Sequence, residues 1–263
     1  MSEHKNTLTD GNVGKALLII ALPIIISNML QSVLEVVDMH FIGELGDTSI
    51  AGGTLSVSVI MVLTTVLMGI VTATAAFVSR AYGSEKYERI QVVLAHAIYL
   101  GLIFSFLLAI IGFFWSEEIL FFMSQGDAVI AAEGANFLRP ALIGSFIMML
   151  LMTLTTVFQS TGDSRTPMFV MIGVNIVNII MNPTLIQGLW IFPAMGLAGS
   201  AYASLSSRAV GVILLILCMY YLPKHKNGPI KFPKKFSFEP RLVRDIFVIA
   251  IPSAVQSGIR SFA

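Results

Sequence analysis

Cysteine occurs once in this chain, at Cys218, and charge is nearly as scarce, with only 12% of the 263 residues being Asp, Glu, Lys or Arg. One cysteine excludes an internal disulfide framework and any metal site built on several thiolates. So little charge excludes an ordinary soluble domain, in which about 25% of residues are charged. The four histidines, His4, His40, His96 and His225, are too scattered to form a spaced ligand motif. No His-Glu-x-x-His, Gly-x-Ser-x-Gly or paired-cysteine pattern occurs, so nothing reads as an enzyme's nucleophile–base or metal constellation. The net charge of +1 gives no footprint for nucleic acid.

What the chain has is oil. Hydrophobic residues make up 56% of it, and the mean hydropathy is +0.85. A membrane span needs about 20 largely apolar residues. By that measure helices fall near 16–40, 50–79, 91–115, 136–160, 167–189 and 196–222, with another from about 242. The first run, Ala16 to Val37, is too long for a signal-peptide core and contains Glu35, so it reads as a retained first span. The expected class is an all-α integral membrane protein, with a six-helix bundle over 1–222, a Lys/Pro-rich linker over 223–241 and the start of a second bundle over 242–263.

Lysine and arginine set the expected orientation. Lys5, Lys15, Arg80, Lys86, Arg89, Arg165 and the seven cations of the linker region all fall on one side. The other side has Arg139 against Glu44, Asp47, Glu117, Glu118, Asp127 and Glu133. The N-terminus is therefore expected in the cytoplasm, in a multi-pass protein of the plasma or inner membrane. A weak internal repeat aligns "ALLIIALPIIISNMLQ" (16–31) with "DIFVIAIPSAVQSGIR" (245–260), placing Pro23 over Pro252. On that reading the chain is the first of two six-helix halves, and its C-terminal half is its main partner beside membrane lipid.

Against this background the polar residues stand out. Asn28, Gln31, Glu35 and Asp38 are three, four and three residues apart, so they share one helix face. Asn175, Asn178 and Asn182 do the same before Pro183, and Ser200, Ser204 and Ser207 make a third stripe. A charge near the bilayer centre costs roughly 2.5–3.5 kcal/mol on insertion scales. These faces must look into a bundle or a wet cavity. Serine, threonine and asparagine also serve as interhelical glue, which is the favoured reading for the serines. For Asp38 the functional reading leads, since Arg208 and Arg139 are the clear intramembrane cations available to pair with it and neither can be placed against it. Pro23 should kink the first helix and make it a moving part. His40 reads as interfacial, and the Met and Phe residues as lipid-facing or core.

Four segments in this order, "ALPIIISNMLQSVLEVVDMHFIGELG", "FQSTGDSRTPM", "VNIVNIIMNPTLI" and "GLAGSAYAS", resemble the N-terminal half of a multidrug and toxic compound extrusion transporter. The resemblance implies twelve helices in two pseudo-symmetric bundles, acting as a monomer. It implies export of organic cations or amphipathic compounds against inward H+ or Na+, with no cofactor. The family's cation site carries over onto Asp38, Asn178, Asn182 and Ser200, its kinking proline onto Pro23 and a cavity glutamine onto Gln31. Asn28 and Asn175 extend that cavity. Asn182 departs from the family, where Asp is common; Glu35 could supply the second acid. One carboxylate with two carboxamides and a hydroxyl could hold Na+, chiefly through Asp38, Asn178 and Asn182, or Asp38 could carry H+. The rival reading is a lipid-linked precursor flippase of the same superfamily, which needs cationic residues in its cavity.

Overall fold

The computed structural model describes residues 13–222 and 238–262. The linker cations from Lys224 to Lys235 and the tail with Lys5 lie outside the described residues. The described chain runs α1 (Val13–Gly43), α2 (Asp47–Gly83), α3 (Tyr87–Met123), α4 (Ala128–Ile143), α5 (Ser145–Ser160), α6 (Arg165–Ile186), α7 (Leu197–Tyr221) and α8 (Pro240–Phe262). Six of these helices are long and apolar enough to cross a membrane, and the bent pair α4–α5 makes one more. This is an all-helical, multi-pass membrane protein.

The helices outrun the apolar segments because their polar ends still form helix. α2 and α3 have 37 residues each, about 55 Å at 1.5 Å per residue, against a hydrocarbon core of about 30 Å. The turn signals act through specific side chains. Asp127 accepts from the backbone N–H groups of Val129 and Ile130 at 2.9 and 3.1 Å and so starts α4. In "STGDSRTP", Asp163 accepts from the Thr166 N–H at 3.2 Å and from its hydroxyl at 2.6 Å, and Pro167 occupies the first turn of α6, where it costs no hydrogen bond.

One expectation about helix shape changes. The span expected near 136–160 is two helices bent by 49° at Gly144. Pro140 gives no N–H to the turn before it, and the side chain of Leu205 on α7 occupies the space a Cβ at Gly144 would need. α1, by contrast, remains one continuous helix across Pro23. Ser27 covers the Pro23 carbonyl with a 2.8 Å hydrogen bond.

Between membrane helices there is no hydrophobic drive beyond that of lipid itself, so small residues that let backbones approach hold the bundle. Gly52 on α2 and Gly134 on α4 meet in this way: a Cβ on Gly52 would lie 2.7 Å from the Gly134 nitrogen. Beside them the Ser56 hydroxyl donates to the Gly134 carbonyl at 2.9 Å. The largest buried cluster joins Leu34, Leu67, Leu94, Met149, Phe158, Val174 and Leu215 from α1, α2, α3, α5, α6 and α7. Phe106, Phe113, Phe114, Trp115 and Phe169 lie exposed on the outside, as a lipid-facing wall requires.

α8 packs along α2, its Leu242, Ile246 and Ala250 joining the main core. Its start is fastened to α3. Arg89 donates to both Glu239 oxygens at 2.8 and 2.6 Å. The Glu239 N–H donates to Nε2 of His96 at 2.9 Å, and Phe238 stacks on that ring with centroids 6.0 Å apart. His96 is fully buried, with Nδ1 2.8 Å from the Val92 carbonyl. These contacts place the start of α8 beside the Arg80–Arg89 turn.

Candidate functional site

Asp38 is 7% exposed, and three helices converge on it. From α6, Nδ2 of Asn178 and Nδ2 of Asn182 donate to its Oδ1 at 3.0 and 2.8 Å. From α7, the Ser204 hydroxyl donates to its Oδ2. The donors are linked among themselves: Asn178 Nδ2 reaches the Ser204 oxygen at 3.3 Å, and Asn182 Nδ2 reaches the Asn178 side-chain oxygen at 3.0 Å. Hydrogen bonds to a charged group are worth about 1.5–3 kcal/mol each. Three of them offset the insertion cost of roughly 2.5–3.5 kcal/mol. The polar face of α6 thus gives one buried carboxylate a place among neutral donors.

The sequence stripes predict the helix faces and miss one height. Asn178 and Asn182 share a face, as their spacing suggests, and meet Asp38 as the family resemblance implies. Ser200 does not: the hydroxyl at Asp38 belongs to Ser204, one turn further along α7. Ser200 is fully buried, and among the described residues neither its oxygen nor the Oδ1 of Asn182 has a hydrogen-bond partner. Asn175 is turned to another task, donating to the Leu30 carbonyl of α1 at 3.0 Å and the Met171 carbonyl at 2.9 Å. That is interhelical glue between α1 and α6. Asn28 is exposed and Gln31 half-buried, and neither lines the cavity described next.

That cavity, of about 240 Å³, opens beside Asp38. Its wall on α1 is Glu35, Asp38, Met39 and Ile42; its wall on α7 is Ala201, Ser204, Leu205 and Arg208. Both sets have the three–four spacing of one helix face. α2 adds Ile60, Met61 and Thr64, and the α4–α5 bend adds Phe137, Ala141 and Met148. The two walls run antiparallel. Ile42 clusters with Leu197 and Ala201, and Asp38 meets Ser204, so the next turn sets Glu35 opposite Arg208. Among the described residues no ion pair joins Arg208 to either carboxylate. The wall is mostly apolar, with two acids and one guanidinium, which suits an amphipathic guest.

The family model described as MatE matches residues 23–184 of the chain. This chain belongs to the MatE family. That family consists of membrane transporters, not enzymes. The MatE chain is 29% identical over 249 residues to the probable multidrug resistance protein YoeA of Bacillus subtilis, covering 94% of this chain and 53% of that protein. It is 30% identical to the multidrug resistance protein NorM of Burkholderia vietnamiensis, covering 92% of this chain and 51% of the relative. A relative from Shewanella oneidensis, 26% identical over 81% of this chain and 47% of its own, is named an FAD transporter. The fold is shared with solved structures. One is described as MATE in the bent conformation, with a TM-score of 0.80 at 23% identity, covering 93% of this chain and 53% of that one. Another, from Pyrococcus furiosus, has a TM-score of 0.80 at 22% identity, covering 94% and 53%. The MatE chain spans about half the length of the curated relatives it matches.

Proposed function

We propose that the chain forms the N-terminal half of an efflux transporter that exports small organic cations or amphipathic compounds in exchange for inward H+ or Na+. Asp38 carries the reading. It is a buried carboxylate held by Asn178, Asn182 and Ser204 at the wall of a cavity large enough for part of a small molecule. Multidrug resistance relatives support the export of drugs.

The chemistry follows from what these side chains can exchange. With their N–H groups turned inward, the two carboxamides stabilise the Asp38 charge. Rotating an amide by half a turn replaces its N–H donors with an oxygen, and the Asn182 Oδ1, which has no hydrogen-bond partner among the described residues, is free to make that exchange. The same four side chains could therefore present a hard-oxygen shell to Na+, or hold Asp38 after it takes up H+. Either ion moving down a 100 mV potential supplies about 2.3 kcal/mol per charge. The remaining parts of the proposal are a single-chain monomer in the plasma membrane and a cytoplasmic N-terminus.

The flippase reading gains one observation, since Arg208 is a cavity cation. Two carboxylates outweigh it. The net charge of the wall is of the wrong sign for a pyrophosphate head.

Reconstituted vesicles loaded with a fluorescent organic cation, given a pH gradient or a Na+ gradient separately, test the proposal. One gradient should drive transport against the cation's own gradient. Transport driven by neither would overturn the reading.

A further inference from the structure

Arg208 has no part in holding Asp38, yet it shares the cavity wall with both acids. It lies one turn from Ser204 on the face of α7 that looks at α1, and the antiparallel register sets it across from Glu35. A guanidinium in a membrane helix is costly unless its charge is used. Among the described residues no acid lies within ion-pair distance of it, and the acids that line the same cavity are Asp38 and Glu35. This is a cation tethered near two carboxylates without being locked to either.

We propose that Arg208 is a built-in competitor of the cationic cargo: it balances Glu35 and Asp38 in the empty cavity, and an arriving organic cation must displace it from their field. The inference rests on the export reading above and deepens it, because it assigns the residue that limits affinity and drives release. In the empty cavity the two acids and Arg208 sum to one negative charge. A monovalent cation brings the cavity to neutrality; without Arg208 the same guest would meet two uncompensated acids and would leave slowly. Like charges that share one cleft repel, and relieving that repulsion is expected to change binding about tenfold, or about 1.4 kcal/mol.

The expected effect is opposite to that of ordinary damage. Arg208→Gln should bind tetraphenylphosphonium about tenfold more tightly than wild type, as titrated by calorimetry on the purified full-length protein. Its turnover should fall together with KM, because release slows. Arg208→Lys, which keeps the charge, should stay near wild type. Equal or weaker binding by Arg208→Gln would overturn the inference, because a merely structural arginine gives that result. A measurement on the unmutated protein covers the case in which the variant does not fold. The 15N resonance of the Arg208 side chain should shift when tetraphenylphosphonium saturates the protein, and an unmoved resonance at saturation would overturn the inference too. If the wild type binds no tetraphenylphosphonium, the export of organic cations falls and this inference falls with it. If the wild type binds and Arg208 proves silent, only the inference falls.

Discussion

At Asp38, function and packing are separated by a change that keeps shape and removes charge. Asp38→Asn retains the volume and replaces charge-assisted hydrogen bonds with neutral ones, worth about 0.5–1.5 kcal/mol each in place of 1.5–3. The variant is expected to fold and insert, and to lose ion-driven efflux down to the background of empty vesicles. Efflux at the wild-type rate would make the carboxylate a packing residue and pass the role to Glu35. Asn182→Asp places a second acid where an amide now touches Asp38 at 2.8 Å. It should keep transport and change the preferred ion or the pH optimum, read from the same vesicle assay across pH with and without Na+. The faces that carry Asp38, Asn178 and Asn182 were legible from their helical spacing, but it was the family resemblance, not the spacing, that grouped the three into one site. Ser204 and Arg208 were not assigned. A stripe of residues reveals which way a helix faces, whereas the height at which two helices meet depends on the packing of every helix between them. The same ignorance put Ser200 one turn out of place.

At the scale of elements, the spans were legible because twenty apolar residues can go almost nowhere else. Their ends were not, since hydropathy falls where the helix leaves the oil while the backbone hydrogen bonds continue. Neither was the bend at Gly144, which needs Leu205 of a distant helix. The meeting of Gly52 and Gly134 leaves no room for a side chain, since a Cβ on either would lie within 3.0 Å of the other's backbone. Gly52→Val should lower the thermal stability of the detergent-solubilised protein by about 1–3 kcal/mol, the usual cost of overpacking. Gly43→Ala, where a Cβ meets nothing within 4 Å, should leave the melting temperature unchanged. Pro23→Ala returns a backbone donor to α1 and should reduce turnover without reducing expression, if two bends of that helix alternate during transport. Unchanged turnover would mark Pro23 as a packing residue.

For the whole molecule, orientation is the first property to check. With Cys218 replaced by serine, a cysteine at Ser84 in the α2–α3 turn should react with a membrane-impermeant maleimide only when the cytoplasmic face is accessible. A cysteine at Gln125, beyond α3, should react only from outside. The reverse pattern would invert the assignment drawn from the lysines and arginines. The fastening of α8 to α3 lies at that α2–α3 end, and its two attachments answer to different stresses. His96 holds the Glu239 N–H with a nitrogen lone pair while its other nitrogen faces the Val92 carbonyl, so the ring keeps both contacts only with a single proton, on Nδ1. The neighbouring Arg89–Glu239 pair is partly exposed and loosens with ionic strength instead. Hydrogen exchange at the Glu239 amide should therefore accelerate in His96→Phe, which removes the acceptor, even at constant pH and salt. The start of α8 is thus held by one buried contact that salt does not reach and one exposed pair that salt loosens.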